Sequence, residues 1–270
     1  MKFDLHTHTD KSDGIYSPSE LIKKAVKQNL SGIAITDHDN IDGIEEALNY
    51  ASKYDNFKVI PGIEFSTVYQ GCEVHILGYF IDYKDKRLID LTKEIKSSRI
   101  DRGVKIVRKI NDLGMDLDID EVRLFSGKDF LGRPHIARAL INRNYVKTVI
   151  EAFEKYLALG SPAYVERYKI SIEEIIALIK ELGGVSVVAH PGLIEDKSIL
   201  DYCISKGING IECIYPKHSK DELDYFLRKA KDENLIATGG SDFHGDRSKT
   251  ILLGKYYVGI NTIKQMEMMR

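Results

Sequence analysis

Short apolar runs alternate along the chain with stretches whose apolar positions recur at helical spacing. The predicted strands are residues 2–5, 32–36, 58–63, 74–80, 185–189, 210–214 and 235–238. Capping boxes at Ser17-Pro18-Ser19-Glu20 and Ser171-Ile172-Glu173-Glu174 predict where two of the intervening helices begin. Repeated strand–turn–helix order is typical of parallel βα units, and about seven such strands predict an α/β fold with a closed or nearly closed barrel.

The alternation stops between residues 87 and 164. There the pattern is mostly helical, with a long segment that ends near Leu113-Gly114 and shorter helices around 136–142 and 148–157. We therefore predict a helical subdomain at residues 96–164 that contributes to the substrate pocket. Residues 1–95 and 165–270 are predicted to form one discontinuous barrel.

Composition narrows the class of protein. The 43% hydrophobic and 30% charged residues are typical of a globular chain, and the formal charge of −2 gives no reason to expect a nucleic-acid coat. No apolar run approaches the ~18–20 residues of a membrane span, so no membrane partner is expected. The polar residues that begin at His6 argue against a removable signal peptide, and nothing indicates an obligate protein partner. Scattered Cys72, Cys203 and Cys213 form no C-x-x-C pair, which favours the cytoplasm.

Histidines and carboxylates cluster at the predicted strand ends. His6 and His8 are two residues apart on an extended segment, so their side chains share a face. Any one of these side chains is more often a surface or hydrogen-bonded residue than a ligand. In an α/β barrel, however, the carboxyl ends of all strands meet at one mouth. The set expected there is His6, His8, Asp13, His38, Glu64, His75, His190, Asp242 and His244.

These side chains predict metal binding. A catalytic zinc usually takes three protein ligands, so six imidazoles and three carboxylates suit two or three divalent ions. Nitrogen and oxygen ligands without thiolate favour Mn, Fe, Zn or Mg over soft metals. The sequence does not choose among them.

Five separated motifs resemble those of the PHP (polymerase and histidinol phosphatase) superfamily, in the right order. They are His6-Thr7-His8, Asp37-His38, Pro61-Gly62-Ile63-Glu64, Ala189-His190-Pro191 and Ser241-Asp242-Phe243-His244. The resemblance implies a distorted (β/α)7 barrel, a trinuclear metal centre and phosphoesterase activity. Segments 132–138 and 215–219 resemble the branch that contains nucleoside bisphosphate and AMP phosphatases and a 5′-to-3′ exoribonuclease.

The resemblance also implies how the ligands divide. His6, His8, Glu64 and Asp242 would hold one ion, and Glu64, His75 and His190 a second. Asp13, His38 and His244 would hold a third, best placed to assist the leaving group. Glu64 would bridge two ions.

Three further residues are candidates for substrate contact. Arg133 precedes Pro134 at a predicted helix start and could grip phosphate oxygens bidentately, or could simply be a surface arginine. His218 follows the strand at 210–214 and could donate to phosphate. His135 either contacts the substrate or caps the helix, and we expect contact.

A basic run covers residues 96–111, with a single acid, Asp101. Lys96, Arg99 and Arg102 recur every third residue and share a helical face. A solvated face is the usual interpretation of such a run. The alternative is a guide for a polyanionic substrate such as short RNA. No aromatic residues interleave with these charges, so a base-stacking platform is not indicated.

The favoured function is hydrolysis of a nucleotide phosphomonoester, either AMP or a nucleoside 3′,5′-bisphosphate, by metal-activated water. Small nucleotides are favoured over RNA ends as the main substrate. Arg99 and Arg102 are expected to matter far more for activity on short RNA than for activity on a nucleoside bisphosphate. The alternatives are a 5′-3′ exonuclease on short RNA, a histidinol-phosphate phosphatase, a metal-dependent amidohydrolase and a non-catalytic module.

Overall fold

A computed structural model describes residues 1–126, 131–245 and 252–270 of the chain. Its centre is a curled eight-stranded sheet with the strand order β7-β6-β5-β4-β3-β2-β1-β8. The strands are β1 Lys2–Asp4, β2 Gly32–Ile35, β3 Lys58–Tyr69, β4 Cys72–Tyr79, β5 Val185–Val188, β6 Gly210–Ile214, β7 Ile236–Gly239 and β8 Val258–Gly259. Strands β1 to β3 and β5 to β7 run parallel to their neighbours within each set, as predicted.

Backbone contacts between the ends of β1 and β7 close most of the remaining gap. Leu5 N donates to Gly239 O at 3.3 Å, and His8 N donates to Phe243 O at 3.0 Å. A Cβ on Gly240 would lie only 2.4 Å from the backbone nitrogen of His6, so the close approach requires glycine at this position. The segments that carry His6 and Asp242 are thereby brought side by side.

The helices follow the capping signals of the sequence. Both predicted capping boxes form, at Ser17 and at Ser171. The helices are α1 Pro18–Lys27, α2 Ile44–Ala51, α3 Lys86–Asp112, α4 Ile119–Ser126, α5 Arg133–Asn142, α6 Val149–Ala152, α7 Ile172–Glu181, α8 Ser198–Ser205, α9 Lys220–Asp232 and α10 Ile260–Met269. A π-helical turn, Phe153–Leu157, continues α6.

One part of the strand prediction is wrong. β3 does not end at Ile63 but continues to Tyr69, and a tight turn at Gln70-Gly71 returns the chain into β4. So short a connection produces an antiparallel hairpin, because a parallel crossover needs a dozen or more residues. β4 is therefore antiparallel to both β3 and β5. Glu64 consequently lies inside a long strand rather than at a strand end.

The core has separate parts in the barrel and in the insertion. Phe3, Leu77 and Val187 belong to a buried cluster contributed mainly by the strands. A different cluster lies wholly within residues 106–163. Helix α3 joins the two regions, because Leu88 packs with the barrel residues and Ile110 with the insertion residues. The structure thus confirms a distorted barrel with an inserted helical subdomain.

Within the described ranges, no helix combines the length and the apolar character that crossing a membrane demands.

Candidate metal centre and arginine pocket

Glu64 lies at the centre of the candidate site, fully buried on β3. Its Oε2 lies 3.1 Å from His6 Nε2, 3.2 Å from His8 Nε2 and 3.1 Å from His38 Nδ1. Asp242 Oδ1 lies 3.1 Å from the same His8 nitrogen. One carboxylate oxygen of Glu64 therefore faces three imidazoles.

The other oxygen of Glu64 faces two more imidazoles. Glu64 Oε1 lies 2.8 Å from His75 Nδ1 and 3.0 Å from His190 Nε2. In the same cluster, His244 Nε2 lies 3.1 Å from Asp13 Oδ1. All nine sequence-predicted ligands are thus brought together, and Glu64 contacts imidazoles through both of its oxygens.

The predicted division among ions agrees with this geometry in part. His6, His8, Glu64 and Asp242 form one group able to hold an ion. The predicted third set, Asp13, His38 and His244, is joined by His8. His38 takes the place predicted for His190 in a group with Glu64 and His75, although His190 also lies beside Glu64.

The donor atoms fit divalent cations. Ligands bound to one ion at ~2.0–2.2 Å are about 3.0–3.5 Å from one another, which is the spacing around Glu64 Oε2. Several of these buried atoms have no hydrogen-bond partner among the described residues: His6 Nε2, both ring nitrogens of His8, His38 Nδ1, Asp13 Oδ1 and Glu64 Oε2. Buried polar atoms are costly without partners, and cations would satisfy them.

Burial and close charges shift the pKa values of these groups strongly. Burial alone would raise the pKa of Glu64, but His38, His6 and His75 outweigh it and hold that pKa well below its usual value. Burial lowers the pKa of His38 to about 3. Glu64 is therefore ionised and His38 neutral at pH 7, the protonation states that bind metal. Although burial opposes it, Glu64 raises the pKa of His75 to about 10 and Asp13 raises that of His244 to about 10, so these two rings would release a proton on binding a cation.

Two ligands lie on backbone in the left-handed region. His190 has φ of 28° and Asp242 has φ of 52°, an uncommon conformation for residues other than glycine. Such strained conformations cluster at functional sites and persist only where surrounding contacts hold them. Tyr215 donates its hydroxyl to Asp242 Oδ2 at 3.0 Å and so helps to fix one of them.

Glu212 is a residue that the sequence analysis missed. It is fully buried on β6, where its Oε1 lies 3.0 Å from His6 Nδ1 and its Oε2 accepts the backbone N–H of His190 at 2.8 Å. Its signal in the sequence is an acid within the apolar run Gly210–Ile214. A buried carboxylate on a metal-ligating histidine orients the ring toward the ion.

A cavity of about 170 Å³ opens beside the metal-ligand cluster. Asp13, His38 and His75 of that cluster contribute to its wall. The rest of the wall includes four arginines, Arg99, Arg102, Arg133 and Arg167. We call this cavity the arginine pocket.

Arg133 and Arg167 share one carboxylate. Arg133 begins α5, and its Nη2 donates to Glu73 Oε2 at 2.9 Å. Arg167 Nη1 lies 2.6 Å from Glu73 Oε1. The Arg133 guanidinium also lies 5.2 Å from the centre of the Phe153 ring. Arg167 was not predicted, because a single arginine in an irregular segment gives no sequence signal.

Arg99 and Arg102 enter the same pocket from α3. Arg99 is ion-paired with buried Asp39 and donates to Ser66 Oγ at 3.1 Å. Arg102 is only 9% exposed and donates to Val165 O at 2.8 Å. The interpretation of these residues as a solvated face is therefore wrong. They also lie in the cavity that Arg133 lines, so their position does not separate a small nucleotide from RNA, and the expectation that small nucleotides do not depend on them stays a prediction.

The two substrate-contact histidines have structural partners. His135 is 1% exposed, and its Nδ1 accepts the N–H of Gly132 at 3.2 Å, which is the capping alternative. The ring of His218 lies between backbone groups, with Nδ1 2.9 Å from Cys213 O and Nε2 3.1 Å from Gly192 N. Neither ring lines the arginine pocket, so these contacts do not favour the expected phosphate contacts.

Comparisons with known proteins agree on one family. A family model described as the PHP domain matches residues 4–194. A 5′-3′ exoribonuclease of Haemophilus influenzae is 33% identical over 90% of this chain and 90% of its own length. A 3′,5′-nucleoside bisphosphate phosphatase of Chromobacterium violaceum is 33% identical over 89% of this chain and 86% of its own. The crystal structure of a candidate metal-dependent phosphoesterase from Bifidobacterium adolescentis has a TM-score of 0.88 at 28% identity, covering 98% of this chain and 94% of that one.

Proposed function

This chain belongs to the PHP domain family, and from that premise we propose that it hydrolyses a nucleotide phosphomonoester. The proposed substrates are AMP or a nucleoside 3′,5′-bisphosphate. Two or three divalent ions, Mn, Fe or Zn, would be held by the nine clustered side chains. The two curated relatives are named for RNA and for a nucleoside bisphosphate, which are both phosphoesters of nucleotides.

The observation that carries this proposal is that metal ligands and four arginines line one cavity. A phosphate ester is the substrate class that needs both groups. Guanidinium forks match phosphate oxygens bidentately, and arginine keeps its charge at any physiological pH. An amide substrate has no comparable need for four positive charges, which counts against an amidohydrolase.

The residues divide the chemistry between them. When bound, divalent ions would lower the pKa of a water molecule and polarise the phosphoryl oxygens. The side chains that would hold them are His6, His8, Asp13, His38, Glu64, His75, His190, Asp242 and His244. Arg133 and Arg167 would bind non-bridging oxygens, so that charge developing during attack is met by fixed positive groups. Asp13, His38 and His244 would lie on the side of the leaving group.

The size of the cavity limits what it encloses. Pockets that bury a whole drug-sized ligand have volumes of about 300–1,000 Å³. The arginine pocket, at about 170 Å³, suits a phosphate group and part of a sugar. The base would remain outside, so we expect little discrimination among bases.

Short RNA is the second candidate. Lys105 and Arg108 are exposed farther along α3 and could contact additional phosphates. The groove that Lys105 lines also holds Glu94, Asp101 and Glu166, whose negative charges disfavour a polyanion. The small nucleotide is therefore the preferred substrate.

The three free cysteines support the proposed cytoplasmic location.

The test is phosphate release from AMP, adenosine 3′,5′-bisphosphate, histidinol phosphate and a short 5′-phosphorylated RNA, with Mn²⁺ present. Arg133→Ala and Arg102→Ala are each expected to lower kcat/KM for the nucleotides roughly 10- to 100-fold, as for a lost charge-assisted bond. A Lys105→Ala, Arg108→Ala double variant is the matched control and should leave nucleotide turnover unchanged. RNA turnover that exceeds nucleotide turnover and collapses in that double variant would favour the exonuclease instead.

A further inference from the structure

Glu73 brings a negative charge into the arginine pocket. It lies on β4 beside the hairpin turn, and its carboxylate contacts Arg133 at 2.9 Å and Arg167 at 2.6 Å. The same carboxylate lies 3.0 Å from His75 Nε2. Glu73 thus occupies guanidinium groups that the proposed function assigns to phosphate.

Asp39, an acid that pairs with two of the arginines without lining the pocket, differs from Glu73 in burial. Asp39 is ion-paired with Arg99 and lies 3.9 Å from Arg167, and it accepts the N–H of Ser66 at 2.8 Å. Its side chain is 2% exposed, whereas that of Glu73 is 39% exposed. Asp39 is fixed by its surroundings, but Glu73 can turn toward solvent without losing a buried position.

The charges explain why an exchangeable acid would be useful. Four guanidinium groups side by side repel one another unless anions compensate them. Asp13 and Glu73 line the pocket with them, and Asp39 pairs with Arg99. Once Glu73 turns away, the four arginines exceed Asp13 and Asp39 by two charges, which is the charge of one phosphate dianion. A ligand phosphate can therefore replace Glu73 on Arg133 and Arg167 while Asp39 continues to hold Arg99.

We propose that Glu73 is a specificity-determining counter-ion that a phosphate group of the substrate displaces from Arg133 and Arg167. This inference rests on the proposed function. Because any anion must compete with this carboxylate, Glu73 weakens anion binding and favours doubly charged phosphate over singly charged anions. When product phosphate leaves, the Glu73 carboxylate pairs with Arg133 and Arg167 again.

The competing role has the opposite sign. If Glu73 served only to orient the two arginines, removal of its charge would weaken phosphate binding. If Glu73 acted only through His75, the effect would depend on bound metal. The sign of the change, with and without metal, therefore separates these roles.

The experiment is calorimetric titration of inorganic phosphate into wild-type protein, Glu73→Gln and Arg133→Ala. Each protein is measured in two states, one reconstituted with Mn²⁺ and one stripped of metal with a chelator. Glu181→Gln is the matched control, because it removes the charge from a glutamate paired with an arginine, Arg87, on the surface. We expect Glu73→Gln to lower the phosphate Kd roughly 3- to 30-fold in both states, as for relief of competition from two partly exposed ion pairs. Glu181→Gln should not change it.

An unchanged or raised Kd in Glu73→Gln, or a lowered Kd in the metal-loaded state alone, would overturn the inference. If Arg133→Ala nevertheless weakens phosphate binding, the proposed function stands and only the role of Glu73 is wrong. If Arg133→Ala leaves phosphate binding unchanged, both the inference and the phosphate role of the arginine pocket are wrong.

Discussion

At the scale of single residues, the candidate metal centre depends on a carboxylate outside the ligand set. Glu212 holds the Nδ1 side of His6, which leaves His6 Nε2 facing Glu64 and Asp242. It also holds the backbone of His190, whose φ of 28° needs support from its surroundings. One buried side chain therefore positions two of the nine candidate ligands.

We expect Glu212→Gln to lower the affinity for Mn²⁺ about 10- to 100-fold, as for other partners of metal-ligating histidines. A glutamine has one acceptor oxygen, and its amide NH₂ would face the N–H of either His6 or His190. The measurement is Mn²⁺ titration of chelator-treated protein, with circular dichroism to verify that the variant folds. Glu233→Gln, an exposed change just after α9, is the control. Equal Mn²⁺ affinity in the wild type and Glu212→Gln would refute the positioning role.

The sequence singled out the candidate ligands but not the residues that position them. His6 and Asp242 follow apolar runs in an alternating pattern, so the barrel rule places them at one mouth. Glu212 is inside such a run and its partners lie far away in the chain, so no local pattern assigns it. No sequence pattern indicates Arg167 either, because its contact with Glu73 forms only in the folded chain.

At the scale of elements, α3 connects the barrel to the insertion and carries Arg99 and Arg102 into the arginine pocket. Gly103 lies between these contacts and the insertion. A Cβ at this position would lie 1.7 Å from Leu131 Cδ2, so glycine permits the close approach of α3 to the residues before α5.

We expect Gly103→Val to lower the free energy of unfolding by ~1–3 kcal/mol through overpacking against Leu131. Adding Leu131→Ala should recover part of that loss, because it removes the atoms that clash. Lys105→Val, an exposed position on the same helix, controls for the helix propensity of valine. Urea unfolding followed by circular dichroism measures all four proteins. A Gly103→Val variant with wild-type stability would show that the contact does not constrain the insertion.

The sequence predicted helices better than strand ends. The capping boxes at Ser17 and Ser171 are local signals, and both formed. The β3–β4 hairpin was missed because its extra length in β3 depends on pairing with β4, such as Ser66 with His75. That pairing places Glu64 inside the strand with both oxygens facing imidazoles, an arrangement that a strand-end interpretation does not capture.

At the scale of the whole molecule, the candidate site lies where the barrel and the insertion meet. The barrel and the insertion each have buried clusters of their own, and the arginine pocket is lined by residues of both. A formal charge of −2 gave no hint of this pocket, because four arginines are few among 39 basic residues. The local charge, rather than the total, decides which substrate the cavity fits.

The most direct test of the account is phosphate release from adenosine 3′,5′-bisphosphate by chelator-stripped protein during stepwise addition of Mn²⁺. The account predicts no turnover in the stripped protein and a rise that levels off at two or three equivalents of metal. Turnover that survives stripping, or that levels off below one equivalent, would contradict a multinuclear metal-dependent phosphoesterase.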